Sequence, residues 1–282
     1  MKNKIKTSCI LFLAVLLSAL TANAQMVESK IDFNALNMDV INGQDGWTSV
    51  NNINADGNTS CTDINIGYGT ATPPDLTMCA YYSCGGSNVG RTASRITSPA
   101  FPFDYANASI MEIQVDMYPA WWGTFFGFGY DANSNGYIVP GIEQTAAYES
   151  NEGGIGFYLT RRPQSAALNC FMKPDGTKIT FSFDSLYADW NTYKLIIDFD
   201  ANSGAGSLSM YVKSPGGSFN AISQVQNINL GLTPGSNTKT DPAKWTKLFI
   251  QATGSYAAFD NIIIRQPDVP PGMQYQYLTF PS

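Results

Sequence analysis

SIMEIQVDMY, residues 109–118, decides the fold class. Met111, Ile113, Val115 and Met117 fall on one parity, and Glu112, Gln114, Asp116 and Tyr118 on the other. Successive side chains of a strand point to opposite faces, so this stretch has one buried face and one wet face. The same period returns in TYKLIIDF, where Tyr193, Leu195, Ile197 and Phe199 share a face, and in SLSMYVK, where Leu208, Met210 and Val212 do. DANSGAG, residues 200–206, joins those two runs and reads as a hairpin connection whose Asn and Gly residues supply positive φ. Further strands are expected at 156–161, 178–183, 248–252 and 258–265, and helical periodicity is scarce. The pattern is that of an all-β protein.

The ends of the chain read differently. Lys2, Lys4 and Lys6, the apolar run 10–20 and Ala22-Asn23-Ala24 form the three parts of a secretory signal. Residues 1–24 are therefore expected to be removed, 25–266 to form a single domain, and the Pro-containing segment 267–282 to be a tail or linker. The apolar run is about half as long as a membrane-spanning helix requires, so export to the periplasm, cell surface or medium is expected, without membrane insertion. Without the signal, 13 basic residues face 22 acidic ones, a net charge of −9 that argues against nucleic acid as a partner.

Four cysteines remain after the signal: Cys61, Cys79, Cys84 and Cys170. An even number in an exported chain predicts two disulfides with three possible pairings, a structural zinc site being the weaker alternative. The chain has no histidine. That removes Ser-His-Asp and Cys-His catalysis and histidine-ligated zinc.

IDFNALNMDVINGQDGWTS near the start contains a Gly43-Gln44-Asp45-Gly46-Trp47 turn. Together with DWNTYKLIIDFDANSGAGSLSMYVK and the closing AAFDNIIIR, it resembles bacterial laminin-G-like jelly rolls of the concanavalin A-like lectin/glucanase superfamily. The resemblance frames most of residues 30–265 and implies a jelly-roll sandwich of two antiparallel sheets, with the last strand returning beside the first. It also implies glycan or protein ligands at a concave face or its rim loops, and a structural Ca²⁺ near the joined end strands, where Asp32 and Asp260 are the candidate ligands. Asp131 to Gly136, DANSNG, is a second calcium candidate that lacks the terminal Glu of a twelve-residue calcium loop.

Related glucanases carry paired acids on one strand. Glu112 and Asp116 share a face here, but four residues at roughly 3.3 Å each separate their backbones by about 13 Å, beyond the roughly 5 to 9.5 Å of glycosidase pairs. A partner acid from a neighbouring strand, or from the loop holding Glu143, Glu149 and Glu152, would be needed for hydrolysis, and Arg161-Arg162 with one of the chain's tyrosines for a lyase.

YPAWWGTFFGFGYD, residues 118–131, holds seven aromatic rings. In a strand, Phe126, Phe128 and Tyr130 share the core face, and Phe125, Gly127, Gly129 and Asp131 the other, where missing side chains admit another backbone or a flat ligand. Trp47 and Trp190 begin strands of the frame and are expected to be structural. Trp121 and Trp122, bracketed by Pro119 and Gly123, are candidate sugar platforms. Tyr137 and Tyr148 in the following loop and Arg161 at a strand end complete the candidate ligand-binding set. Three functions follow: a non-catalytic glycan-binding module, an adhesive module that recognises a cell-surface protein, and a carboxylate- or Tyr/Arg-dependent glycan hydrolase or lyase.

Overall fold

The computed structural model describes residues 27–31, 33–34, 36–38, 41–51, 65–67, 79–82, 93–101, 109–120, 123–139, 147–160, 169–181, 189–253 and 256–266. Sixteen strands lie along them: β1 (Val27–Ile31), β2 (Thr48–Asn51), β3 (Asn65–Gly67), β4 (Cys79–Tyr82), β5 (Ala93–Thr97), β6 (Ile110–Tyr118), β7 (Gly123–Tyr130), β8 (Gly153–Leu159), β9 (Cys170–Met172), β10 (Lys178–Thr180), β11 (Asn191–Asp198), β12 (Ser207–Lys213), β13 (Asn220–Ala221), β14 (Ile228–Asn229), β15 (Lys247–Thr253) and β16 (Ala257–Gln266). Nine form one sheet in the order β13-β12-β11-β6-β16-β4-β3, with β1 also on β16 and β14 also on β12, and seven form the other in the order β10-β9-β8-β7-β15-β5-β2. Among the described residues every pairing is antiparallel. The fold is a two-sheet antiparallel jelly-roll sandwich.

The alternation of residues 109–118 is realised in β6, whose odd-numbered positions from Met111 to Met117 are buried and whose even-numbered ones are half-buried. They meet Tyr193, Leu195 and Ile197 of β11, Leu208 and Met210 of β12, and Phe126 and Phe128 of the facing sheet in one continuous core. Tyr193 of one sheet and Phe157 of the other lie ring to ring at 5.4 Å. Fully burying a side chain of this size contributes roughly 1.5 to 3 kcal/mol, which is why these rings line the inside of the sandwich.

The turns follow from their residues. Between β11 and β12, Asn202, Ser203, Gly204 and Gly206 all take positive φ, as the DANSGAG composition predicts. In the Gly43–Trp47 turn, Gly43, Asp45 and Gly46 have φ of 83°, 44° and 78°. The turn is closed by Gly43 N to Trp47 O at 2.8 Å, and the Gln44 side chain bridges back to both the amide and carbonyl of Asn37. Trp47 is thereby driven into the core against Phe33, and Trp190 is buried as well.

The first and last strands pair, with Val27 opposite Gln266 and Ile31 opposite Ile262. In β16 the core positions are Phe259, then Ile262 and Ile264, a break in period that a bulge at Asn261 supplies with φ 46°.

Cys170 corrects one expectation. It carries a free buried thiol, so the two-disulfide scheme does not hold. Cys61 and Cys84 lie outside the described residues, and Cys79 contributes backbone to β4. Burial pushes the Cys170 thiol up to about 11, and Lys178 opposes this.

Candidate functional site

The outer face of the seven-stranded sheet is where the aromatic stretch and the loop after it come together. On β7 and β8, Gly127 stands opposite Gly156, and Gly129 opposite Gly154. The space left by these missing side chains is filled from within the chain. A Cβ on Gly127 or Gly156 would stand 2.6 or 2.5 Å from Cζ of Phe125, and one on Gly129 would stand 3.1 Å from Cδ1 of Ile138. Phe125, Ile138, Val139, Tyr158, Cys170, Met172 and Phe249 form a second apolar cluster there, with Tyr148 packed on it. The described parts of the connection between β7 and β8, residues 131–139 and 147–152, therefore fold back as a strap over their own sheet. The glycine face does admit a close neighbour, and that neighbour is the protein itself.

Tyr148 holds the strap down. Its hydroxyl donates to the carbonyls of Gly154 at 3.0 Å and Met172 at 3.3 Å, and its ring meets Phe125 edge-on at 6.4 Å. Burial raises its phenol well above the ordinary value, so it stays protonated as a donor.

Tyr137, at the other end of the strap, is half-buried and lies under a guanidinium: Arg95 Cζ is 4.1 Å from its ring centroid. Arg95 comes from β5, is 2 % exposed, and donates from Nε to Gln251 Oε1 of β15 at 3.1 Å. Burial pulls its pKa down, while Tyr137 and Glu149 act to keep the charge. Thr97 Oγ1 donates to the carbonyl of Gly136, tying the same stretch of loop to β5.

Between these anchors the DANSNG segment is wound tightly. Asp131 accepts from Asn135 N through Oδ1 at 3.2 Å and from Gly136 N through Oδ2 at 2.9 Å. Asn133 Oδ1 accepts from Asn135 N, and Asn135 Oδ1 from Tyr137 N, at 2.9 and 3.1 Å. Gly136, at φ 87°, completes the turn. The side-chain amides of Asn133 and Asn135 both donate to Glu149 Oε2, at 2.9 and 3.1 Å. Glu152, three residues on, is 0 % exposed. Burial first, then Glu149 and Asp131, push its pKa up to about 7, and the backbone amides of Asn133 and Ala132 oppose this.

The remaining candidates are distributed as follows. Trp121, Trp122, Arg161, Arg162, Glu143 and Asp32 lie outside the described residues. Asp260 is buried beside the bulge of β16, with Oδ1 accepting from Asn261 N at 2.8 Å. Among the described residues no three His, Cys, Asp or Glu side chains gather into a metal-holding group. Glu112 sits on the other sheet, 2.7 Å from Arg265 Nη1 and 3.9 Å from Lys194 Nζ. Asp116, on the same strand, accepts from Thr192 Oγ1 and from Asn261 Nδ2. Both acids of the strand thus have structural partners. Sequence reading missed Arg95, which nothing in its local stretch marks, and placed Glu152 only within a general acidic loop.

No protein-family model and no curated protein matches the chain. Solved structures do resemble it. The exoplasmic/lumenal domain of VIP36 in its Ca²⁺/Man2-bound form is 10% identical, with 84% of this chain and 89% of that one covered at a TM-score of 0.45. A protein of unknown function with a galectin-like fold from Bacillus subtilis is 12% identical over 86% of this chain and 100% of that one, at 0.44. A carbohydrate esterase from the Shiga toxin-encoding bacteriophage phi24B is 9% identical over 85% and 100%, at 0.36. At such identities the likeness is one of architecture.

Proposed function

We propose that this chain is an exported, non-catalytic carbohydrate-binding sandwich of the bacterial laminin-G-like kind, with its binding edge along the connection between β7 and β8. One observation carries the reading: the half-buried Tyr137 ring is locked by the buried Arg95 at 4.1 Å, beside the amides of Asn133 and Asn135 and the carboxylate of Glu149. A rigid ring stacks on the C–H face of a sugar, and neighbouring amides and acids satisfy its hydroxyls. Trp121, Trp122 and Arg161 complete the proposed ligand-binding set on the strength of the sequence alone, while Tyr148 acts by holding the strap.

A glycan and polysaccharide array probed with the wild type and with Tyr137→Ala, Trp121→Ala and Trp122→Ala tests this. The wild type is expected to bind at least one glycan, and Tyr137→Ala to weaken that binding about tenfold, the equivalent of about 1.4 kcal/mol. A correctly folded wild type that binds nothing on the array removes the glycan reading.

The apolar cluster that fills the glycine face of β7 and β8 favours a second reading, an adhesive module that meets a cell-surface protein through its loops. A negative array followed by capture of a surface protein, lost on substitution of strap residues, would support it.

A further inference from the structure

We infer that the sugar taken at the edge beside Tyr137 carries a free amine, and that Glu149 is the residue that selects it. The inference rests on the carbohydrate reading and names the class of sugar.

Backbone pairing sets the two residues side by side. Glu149 N donates to the carbonyl of Ile138, the residue after Tyr137, at 3.0 Å. The side-chain amides of Asn133 and Asn135 donate to Glu149 Oε2 at 2.9 and 3.1 Å, and Asn135 Oδ1 accepts from Tyr137 N at 3.1 Å. One asparagine thus joins the carboxylate to the backbone that carries the ring. Both amides use the same oxygen of Glu149. Its Oε1 has no hydrogen-bond partner among the described residues, and the side chain is only half-buried. The carboxylate is fixed before a ligand arrives, which spares the entropy of ordering it, and one acceptor is left open.

Charge decides what that acceptor takes. From Gly123 to Thr160 the chain holds four acids, Asp131, Glu143, Glu149 and Glu152, and no lysine or arginine. Glu149 and Asp131 are the charged groups that act on the buried Glu152, and both disfavour its ionisation. The cation that reaches Glu149 is Arg95 of β5. It is 2 % exposed and stacked on Tyr137 at 4.1 Å, so it supports the ring from within and is closed to a ligand. Lys244, on the connection that leads into β15, lies 6.0 Å from the Tyr130 ring, and the lysine ion pairs among the described residues are with Asp175 and Glu112. The edge beside Tyr137 is therefore negative.

A uronate or a sulfated sugar meets Glu149 with like charge, and a neutral sugar offers it hydroxyls alone. An ammonium has three donors and the opposite charge, and a charge-assisted hydrogen bond is roughly twice as strong as a neutral one. The C–H face of the same sugar lies on Tyr137. A 2-amino-2-deoxyhexose without an N-acetyl group meets both requirements.

The test is calorimetric titration of the exported chain with short β-1,4-linked oligomers of glucosamine, of N-acetylglucosamine and of a uronic acid, and with a lysine peptide of the same charge as the first. The glucosamine oligomer should bind at least about tenfold more tightly than each of the others. The lysine peptide has the charge but no flat face for Tyr137. Raising the salt from about 20 mM to about 500 mM should erase most of the preference for the amine and leave binding of the N-acetylated oligomer little changed. Glu149→Gln should bring the two affinities within about twofold of each other, whereas Glu112→Gln on the opposite sheet should keep the preference. The salt series needs no variant and serves if Glu149→Gln fails to fold. Equal or tighter binding of the N-acetylated or uronic oligomer overturns the inference and leaves the carbohydrate reading standing. Equal binding of the lysine peptide, or a preference that survives Glu149→Gln or high salt, also overturns it. A wild type that binds none of these sugars and nothing on the glycan array removes both.

Discussion

Phe125 occupies the place where Gly156 has no side chain: a Cβ built on that glycine would stand 2.5 Å from the ring Cζ. Contacts that short are not made, so the ring and the glycine determine each other across β7 and β8. Gly156→Ala is expected to cost about 1 to 3 kcal/mol by overpacking, and less in a Phe125→Leu background. A double-mutant cycle in urea measures the difference, and two independent costs would show that the ring relaxes freely.

The Arg95 guanidinium and the Tyr137 ring form a stack that a lysine cannot reproduce, because an ammonium is a compact point charge without a planar face. Arg95→Lys should therefore lower stability by about 1 to 2 kcal/mol. In the carbohydrate reading it should also weaken glycan binding, although Arg95 itself is buried. Chemical denaturation and the same glycan array read the two effects. Unchanged values in both would show that the stack is incidental.

Cys170 predicts both a reactivity and a pH dependence. Its thiol, 6 % exposed and raised from 9.0 to about 11, should resist alkylation at pH 8 until the protein unfolds. Between those two values the unfolded chain has lost a proton that the folded chain keeps, so the thiol lowers stability as pH rises through that window. Below pH 9 the effect is absent, and by pH 11 it approaches about 2 to 3 kcal/mol. Melts of the wild type and Cys170→Ala from pH 8 to 10.5 should converge or cross as pH rises, whereas parallel curves would refute the shift.

Glu112, held by Arg265 and Lys194 on the nine-stranded sheet, lies on the opposite layer from Tyr137. Glu112→Gln should cost about 1 kcal/mol at low ionic strength, less in high salt, and leave glycan affinity unchanged. Hydrolysis of a polysaccharide by the wild type that disappears in this variant would instead assign the strand a catalytic role.

Local chemistry made much of the architecture legible. The parity of apolar residues in β6, β11 and β12 assigned their core faces, since a strand's two faces differ by one residue. The Asn and Gly residues of the 200–206 hairpin and of the Gly43–Trp47 turn marked backbone that must take positive φ. Phe126 and Phe128 were placed inside by the same alternation. In β16 that alternation is offset by one residue at the Asn261 bulge.

The site depended on contacts that no local pattern encodes. Arg95 reaches Tyr137 only because β5 and the strap lie on the same sheet face. Glu152 is a buried acid in a connection where Glu149 and Asp131, distant from each other in sequence, both act on it. The acid-rich loop and the glycine face were both visible in the residues, but that one covers the other was not. Strand parity is set by the covalent geometry of the chain, residue by residue, whereas burial of a charge and closure of a strap are set by distances between segments, which exist only once the sheets have assembled.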